Sequence, residues 1–267
     1  MKNRNKILSN QENYIEQYKH EQVSISILRI LIFLLFLTLW EALSYFAIID
    51  SFFFSSPSRI CLLFITMCKN LEIFIHMGIT LYETIISFLI VNLLSIVTAI
   101  LMLSFSRFSK IVEPYLVILN SLPKSALAPL IIVWLGTGSK TIIVAGISVA
   151  VFGSIINLYT GFTQVDKEKL KLITTLGGSK KDQLFKVTIP SSVPIILSNM
   201  KVNIGLSLVG VIIGEFLAAR RGLGYLIIYG SQVFQLDLLI LSILILCIIA
   251  FLLYKTLDFI ERRIKIQ

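Results

Sequence analysis

Residues 30–39 read Ile-Leu-Ile-Phe-Leu-Leu-Phe-Leu-Thr-Leu, an apolar run with a single hydroxyl group. A membrane-spanning β-strand would be about ten residues of alternating polarity, so this run favours a helix, in which each backbone amide bonds within its own segment. The rest of the chain is similar, since 56% of its 267 residues are hydrophobic and 15% are charged. One soluble domain cannot bury that much apolar surface. The chain is therefore predicted to be an all-α, polytopic membrane protein.

Six stretches are long enough to cross a bilayer, whose hydrocarbon core of roughly 30 Å takes about 20 apolar residues per helix. The third contains Pro123, Lys124 and Pro129, and we expect the two prolines to kink it and to free carbonyl groups that could face a pore. The first is too long for a signal-peptide core of about 7 to 15 residues, so it is predicted to be retained. The predicted spans are 27–49, 79–104, 114–135, 141–162, 195–219 and 237–257.

The distribution of Lys and Arg predicts the orientation of these spans, because cytoplasmic loops retain positive charge. Of the 24 basic residues, 17 fall in one set of loops and termini and five in the other, while Lys124 and Lys201 fall inside spans. Both termini and the loop 163–190 are thus predicted to be cytoplasmic. Topology and lipid headgroups explain the formal net charge of +9. A nucleic-acid partner is not expected, since the basic residues have no interleaved aromatic side chains.

The loop from Gly177 to Pro190 carries the clearest functional signal and reads Gly-Gly-Ser-Lys-Lys-Asp-Gln-Leu-Phe-Lys-Val-Thr-Ile-Pro. Residues 165–176 contain no helix breaker, and the two glycines permit the left-handed conformation that ends a helix. A sharp turn is predicted there. Ser179 stands three residues before Asp182, which is the spacing of a capping box.

A short second helix is predicted to follow this turn, from about Lys180 to Val187, with Pro190 starting the fifth span. Its lysines are charged, while Leu184 and Phe185 are apolar residues available for docking. A merely solvated loop between two spans is the alternative interpretation, because a capping box alone occurs by chance in many chains.

The loop resembles the second half of the loop signature of binding-protein-dependent ABC importer permeases. That signature is a Gly, then nine residues, an aliphatic residue, any one residue, a second aliphatic residue and a Pro. Two further stretches are similar to the nitrate, sulfonate and taurine branch of this MetI-like family. One is Leu119–Gly138, which reads Leu-Asn-Ser-Leu-Pro-Lys-Ser-Ala-Leu-Ala-Pro-Leu-Ile-Ile-Val-Trp-Leu-Gly-Thr-Gly. The other is Glu215 followed by Gly-Leu-Gly-Tyr-Leu-Ile at 222–227. The resemblance runs from about Trp40 to Arg263.

The chain also departs from the pattern of that family. The family signature begins Glu-Ala-Ala, whereas residues 171–173 are Lys-Leu-Ile, which leaves Glu168, one turn earlier, as the candidate acidic contact. Where the family often has Arg after Thr-Leu in the second span, this chain has Glu83. Any charge pairing at that position is expected to be inverted. Arg220 and Arg221 replace residues that are usually small or polar.

The resemblance implies a MetI-like permease fold and a non-catalytic subunit of an ATP-driven importer in the cell membrane, which forms the pathway for a small anion such as a sulfonate, taurine or nitrate. The implied partners are two ATP-binding subunits, an extracytoplasmic solute-binding protein, a second copy of the permease chain and membrane lipid. The chain lacks Gly-x-x-x-x-Gly-Lys-Ser/Thr, so ATP hydrolysis is expected elsewhere, and no cofactor is expected. The candidate residues for coupling to the ATPase are Glu168, Gly177, Ser179, Asp182, Leu184, Phe185 and Pro190.

The implied organisation has a polar cytoplasmic segment, 1–26, a first transmembrane helix, 27–49, and a five-helix permease core, 76–262, that includes the loop 163–190. Glu215 stands out within the core, because a membrane-buried carboxylate costs roughly 2.5 to 3.5 kcal/mol on insertion scales and usually has a partner or a pathway. Hydration near the outer end of the span is the alternative. The candidates for the pathway or for gating are Pro123, Pro129, Glu215, Gly222, Gly224 and Tyr225.

Helix packing is the favoured role for Gly210 and Gly214, which form a Gly-x-x-x-Gly pair, over lining of the substrate path. Cys61 and Cys68 fall on the predicted outer side and are either a disulfide pair or two packing residues.

Two other classes of protein fit less well. An intramembrane enzyme would need a paired-aspartate, Ser/His or metal constellation, and the two histidines share no metal-binding spacing with the three cysteines. An ion-coupled secondary transporter or channel is compatible with six apolar helices. No inverted repeat is apparent, however, and an ATPase-docking loop would serve no purpose in such a carrier.

Overall fold

The computed structural model describes the backbone of residues 2–265 and the side chains of residues 18, 21–50 and 52–263. Within that range all the regular structure is helical, which confirms the predicted all-α class. In chain order the elements are α1 (Lys2–Tyr45), α2 (Ser51–Phe54), α3 (Pro57–Lys69), α4 (Glu72–Ser104), α5 (Ser106–Ser121), α6 (Lys124–Leu135), α7 (Ser139–Thr163), α8 (Lys167–Thr175), α9 (Lys180–Gln183), a π-helical turn (Leu184–Thr188), α10 (Ile189–Ser191), α11 (Val193–Ala218), α12 (Leu223–Gln232) and α13 (Leu236–Lys265).

Five helices in the described range are long and apolar enough to cross a membrane, and the count is six if the bent pair α5 and α6 forms one span. This agrees with the predicted number. The pair bends by 99° between Ser121 and Lys124, so the break in the third span lies at Pro123. Pro129 sits inside α6, which continues through it as one helix. The span is therefore interrupted at Pro123 and not at Pro129. The five long spans are Glu21–Tyr45, Glu72–Ser104, Ser139–Thr163, Val193–Ala218 and Leu236–Arg263.

The chain divides into two compact units, residues 1–63 and 64–267. In the first unit, the Glu41 carboxylate on α1 accepts hydrogen bonds from the Ser58 amide at 3.0 Å and from the Ser58 hydroxyl at 2.7 Å. Trp40 Nε1 donates to the carbonyl of Phe54 at 3.3 Å. These bonds fasten the end of α1 to the start of α3. Of the predicted polar segment 1–26, residue 1 and the side chains of 2–17, 19 and 20 lie outside the described residues.

The second unit is built around α4, α7 and α11, and glycines set the spacing between the last two. A Cβ added to Gly210 would lie 2.8 Å from the Cα of Gly146, and one added to Gly214 would lie 3.0 Å from the Cα of Ile142. Only glycine permits backbones to approach so closely. The packing interpretation of the Gly-x-x-x-Gly pair is therefore confirmed.

Buried amide side chains join the same three helices. Asn203 Nδ2 on α11 donates to Asn92 Oδ1 on α4 and to Ser154 Oγ on α7, each at 2.9 Å. Asn199 Nδ2 donates to the same serine oxygen at 2.7 Å. Interhelical hydrogen bonds of this kind contribute about 0.6 kcal/mol each in membrane proteins. They fix the register of the three spans more than they add to stability.

Lys201, a cation on the fifth span, is paired with acidic residues of α13. Its Nζ lies 2.7 Å from Asp258 Oδ1 and also contacts the Glu261 carboxylate. It lies 5.6 Å from the centre of the Tyr254 ring. Because these carboxylates compensate the positive charge, α11 can carry Lys201 within a predicted span.

Candidate functional site

The turn between α8 and α9 is built on the two predicted glycines. Gly177 adopts a positive φ of 79°, and the Gly178 amide donates to the carbonyl of Ile173 at 2.8 Å. A Cβ on Gly178 would lie 2.5 Å from Ile173 Cγ2. The first glycine supplies the left-handed backbone and the second the close approach, so the predicted sharp turn is confirmed.

The predicted capping box is present at the start of α9. The Ser179 hydroxyl accepts the Asp182 amide at 3.3 Å, and the Asp182 carboxylate accepts the Ser179 amide at 2.9 Å. Lys186 adds an ion pair to Asp182 at 2.8 Å. The hydrogen bond from Lys186, followed by those from Ser179, lowers the pKa of the Asp182 carboxyl from its usual value. The cap therefore remains charged at every ordinary pH.

A hydrogen-bonded amide joins the two helices of the loop. Gln183 Nε2 on α9 donates to the carbonyl of Leu170 at 3.1 Å and to the Thr174 hydroxyl at 2.7 Å, both on α8. Together with the glycine turn, these bonds make the two helices one rigid unit.

The helical path from this loop into the fifth span differs from the prediction of a single short helix. α9 is α-helical only from Lys180 to Gln183, and the chain then widens into the π-helical turn 184–188. Pro190 has no amide hydrogen to donate to the carbonyl four residues earlier. In the wider turn just before it, the Ile189 amide donates to the carbonyl of Leu184, five residues earlier. The span begins at Val193, three residues after Pro190.

Several apolar side chains of the loop point outwards. Leu172 is 59% exposed, Leu176 75% and Phe185 63%, while Leu184 is half-buried. We call the three exposed residues the loop surface. Several exposed large apolar side chains on one short, otherwise charged segment are a feature of protein-binding sites. Leu172 and Leu176 were not among the sequence candidates.

Glu168 is exposed in the first turn of α8. Its amide donates to Asp166 Oδ1 at 2.9 Å, which caps the helix. The side chain is accordingly available to a partner at the start of the same helix pair.

The second group of candidates meets at a buried joint between α4, α11 and α12. Glu215 is fully buried, and its Oε1 accepts the Thr80 hydroxyl at 2.7 Å while its Oε2 accepts the Gly224 amide at 2.5 Å. The Thr80 hydroxyl in turn accepts the Leu223 amide at 2.8 Å. The alternative of a hydrated Glu215 is therefore wrong, because the carboxylate is enclosed by protein donors.

The glycine stretch before α12 fits around this carboxylate. Gly222 has a φ of 119°, and a Cβ there would collide with the Glu215 carboxyl group. His76 on α4 lies with its Nδ1 2.9 Å from the Gly222 amide, and its ring stacks on Tyr225 at 6.3 Å between centres. Glu215, Gly222, Gly224 and Tyr225 are thus brought together, and sequence reasoning missed His76.

Glu83, like His76, belongs to the joint but was not a site candidate. The sequence did contain a signal for it, because Glu83 stands where the family often has Arg. It is fully buried on α4, next to Glu215 and to Ser139 at the start of α7. The expected pairing of Glu83 with an opposite charge is not found among the described residues. Its charged neighbour is a second acidic side chain, that of Glu215.

Pro123 and Pro129 lie on another element, the elbow between α5 and α6. The carbonyl groups at the end of α5 were expected to be free to face a pore. Instead, Lys124 Nζ donates to the carbonyls of Leu119 and Asn120, each at 2.8 Å. The Lys124 side chain therefore supplies hydrogen bonds to carbonyl groups that have no helical partner at the break.

Comparisons with known proteins agree on one family. A family model described as "Binding-protein-dependent transport system inner membrane component" matches residues 91–266. A protein of Haemophilus influenzae named "Probable ABC transporter permease protein" is 30% identical over 228 residues, which are 85% of this chain and 92% of that protein. The formylaminopyrimidine transport permease protein ThiX of Halalkalibacterium halodurans is 28% identical over 195 residues, or 73% and 77% of the two chains.

Other matches extend this result. The taurine transport system permease protein TauC of Escherichia coli is 24% identical over 234 residues, 85% of each chain. Among solved structures, an inward-facing form of the MetNI methionine ABC transporter matches with a TM-score of 0.61 and 17% identity, over 70% of this chain and 93% of the other. At that identity the structural likeness concerns the fold alone.

Proposed function

Because the chain belongs to the family of binding-protein-dependent transport system inner membrane components, the permeases of ABC transporters, we propose that it forms the translocation pathway of an importer for a small anion, such as a sulfonate, taurine or nitrate. The family match carries the transport role. The substrate class has support from the taurine permease relative and from Arg220 and Arg221, both exposed just before α12. Their positive field would favour an anion at that end of the bundle.

We place the chain in the cell membrane with both termini and the loop 163–190 in the cytoplasm, as its Lys and Arg distribution indicates. The organisation we propose is the polar segment 1–26, the first span 27–49 and a permease core 76–262. An extracytoplasmic binding protein would deliver the solute on the opposite side, and two copies of this chain would enclose the pathway.

The ATP-binding subunits, in two copies, would dock on the loop surface of Leu172, Leu176 and Phe185. Exposed apolar side chains on the helix pair and on the π-helical turn that follows it suit such a partner. Glu168, Ser179 and Asp182 would complete the contact or hold its geometry. ATP hydrolysis belongs to those subunits in this proposal, and the permease chain itself is non-catalytic.

The connection from the loop to α11 suits the transmission of movement. Helical hydrogen bonds continue past Pro190, from the Ser192 amide to the carbonyl of Thr188 at 3.0 Å and from the Ile196 amide to the carbonyl of Ser192 at 2.9 Å. A displacement of α9 by a closing ATPase would therefore reach α11 and, along it, the joint at Glu215. Rigid-body movement of this kind would alternate outward and inward openings.

Co-purification with a candidate ATPase tests the proposal directly. Phe185→Asp should abolish binding and ATP-driven uptake in proteoliposomes, whereas Phe185→Leu, which keeps an apolar surface, should retain both. Failure of the wild-type chain to bind any candidate ATPase would overturn the coupling role.

The substrate is tested separately, with the cognate binding protein and radiolabelled taurine, an alkanesulfonate, nitrate and a formylaminopyrimidine. Uptake of an anion supports the proposed class. Uptake of the pyrimidine alone would replace it, in line with the relative from Halalkalibacterium halodurans.

A further inference from the structure

Two acidic residues are buried at the joint between α4, α11 and α12. Glu83 on α4 and Glu215 on α11 are both fully buried. Glu83 follows by three residues Thr80, whose hydroxyl binds the Glu215 carboxylate, so both carboxyl groups lie on the same side of α4, and each perturbs the other. Isolated charges in such surroundings are costly, and two like charges in contact are more so. The pair therefore needs either a cation or a proton.

The described residues offer no cation to the pair. Neither carboxylate forms a salt bridge with any Lys or Arg whose side chain the structure describes, and no group of three or more His, Cys, Asp or Glu converges to hold a metal in that part of the chain. His76 also belongs to this joint, through its contact with Gly222, and Glu72 and Arg221 interact electrostatically with His76. α7 contributes the neutral Ser139.

The two carboxyl groups have unequal surroundings. Glu215 accepts hydrogen bonds from Thr80 and from the Gly224 amide, and such donors favour the ionised form. Neither buried oxygen of Glu83 has a hydrogen bond of good geometry among the described residues, and the Ser139 hydroxyl that lies beside it is its one neighbouring neutral donor. An ionised carboxylate can only accept hydrogen bonds, so the two groups can bond to each other only if one carries a proton.

We propose that Glu83 and Glu215 form a proton-binding site, in which Glu83 carries the proton and donates it to the ionised Glu215. One negative charge then remains, and it is enclosed by the hydroxyl of Thr80 and the amide of Gly224. The proton acts as the ligand that joins α4 to α11 and to the glycine turn before α12.

This site makes the joint sensitive to pH. The folded protein retains a proton that the unfolded chain has released at neutral pH, so folding stability falls as pH rises. The equilibrium constant for unfolding increases by up to about tenfold per pH unit until the proton leaves. Once it has left, the two negative charges repel each other and the three elements separate most easily.

Infrared spectroscopy of the purified full-length chain in nanodiscs detects the proton itself. The wild type should show the carbonyl-stretching band of a buried carboxylic acid at about pH 7, where exposed carboxyl groups are ionised. Glu83→Gln should lose it, while Glu113→Gln, which removes an exposed carboxylate, should keep it. Absence of the band from the wild type at this pH would overturn the proposal, and so would its persistence in Glu83→Gln.

Thermal unfolding gives the second measurement and separates the pair from His76. Between about pH 6 and about pH 9 the melting temperature of the wild type should fall. Glu83→Gln, which keeps a neutral donor towards Glu215, should remove most of this fall, whereas His76→Gln should keep it. A fall that disappears in His76→Gln but persists in Glu83→Gln, or one that sodium ions abolish, contradicts proton binding by the pair. Neither measurement depends on the transported solute.

Discussion

Gln183 Nε2 donates a hydrogen bond to the backbone carbonyl of Leu170 at 3.1 Å, and this contact fastens α9 to α8 across the glycine turn. The same amide reaches the Thr174 hydroxyl at 2.7 Å. The loop thus has a defined shape before any partner binds, and little conformational entropy is lost when a partner does.

Gln183→Leu should loosen the loop without unfolding the membrane core. A typical intramolecular hydrogen bond contributes about 1 kcal/mol, and the bonds lost here lie outside the spans. We expect faster amide hydrogen exchange in 176–183 and weaker ATPase binding, with the melting temperature nearly unchanged. Lys180→Leu, on the same helix, is the control. Equal exchange in the two variants would show that Gln183 does not hold the turn.

The capping box should respond to acid. The pKa of Asp182 is lowered in the folded loop, chiefly by Lys186 and then by Ser179. A lowered pKa means that the stabilisation is fully present above the unfolded value of about 3.9 and is lost as pH falls below it, through the folded value.

Amide exchange at Ser179, measured from about pH 7 down to about pH 3 and corrected for the intrinsic rate, should therefore show no loss of protection until the acid end of the range. Asp182→Asn should lower the protection at every pH, because it lacks the charge that attracts Lys186. A wild-type loop that loses protection near neutrality would refute this account of the cap.

Gly222→Ala should disrupt the buried joint. A Cβ at this position would collide with the Glu215 carboxyl group, and the φ of 119° is unfavourable for any other residue. We expect a loss of about 2 kcal/mol or more in stability, measured as a lower melting temperature in detergent.

Gly205→Ala is the matched control, since a Cβ there meets no atom within 4 Å and the residue lies inside α11. Alanine exceeds glycine in helix propensity by up to about 1 kcal/mol, so this variant should be neutral or slightly stabilised. If both glycine variants lost the same stability, the clash with Glu215 would not be the cause.

Sequence patterns predicted those features of the protein that depend on residues close together in the chain. The apolar runs indicated the spans, Gly177 and Gly178 the turn, and the spacing of Ser179 and Asp182 the capping box. In each case the interacting groups are a few residues apart, so a single stretch of sequence contains both partners.

The buried joint could not be predicted in this way. Thr80 and Glu215 are 135 positions apart, and His76 and Gly222 are 146 positions apart. Only tertiary packing brings them together, and the sequence therefore marked Glu215 as unusual without identifying its partners. The π-helical turn before Pro190 was missed for a different reason, since the wider turn is one of several ways to accommodate a missing amide.

Lys124→Met should destabilise the elbow of the broken span. The ammonium group donates to two carbonyls at the end of α5, and in a membrane an unsatisfied carbonyl has no water to replace its donor. We expect a loss of about 1 to 3 kcal/mol per carbonyl that remains unpaired, seen as a lower melting temperature in nanodiscs. Lys124→Arg, which keeps the charge and the donors, should recover part of it. Lys140→Met removes an exposed lysine at the start of α7 and should have little effect. A Lys124→Met protein as stable as the wild type but defective in uptake would show instead that the lysine contacts the solute rather than the carbonyls of the elbow.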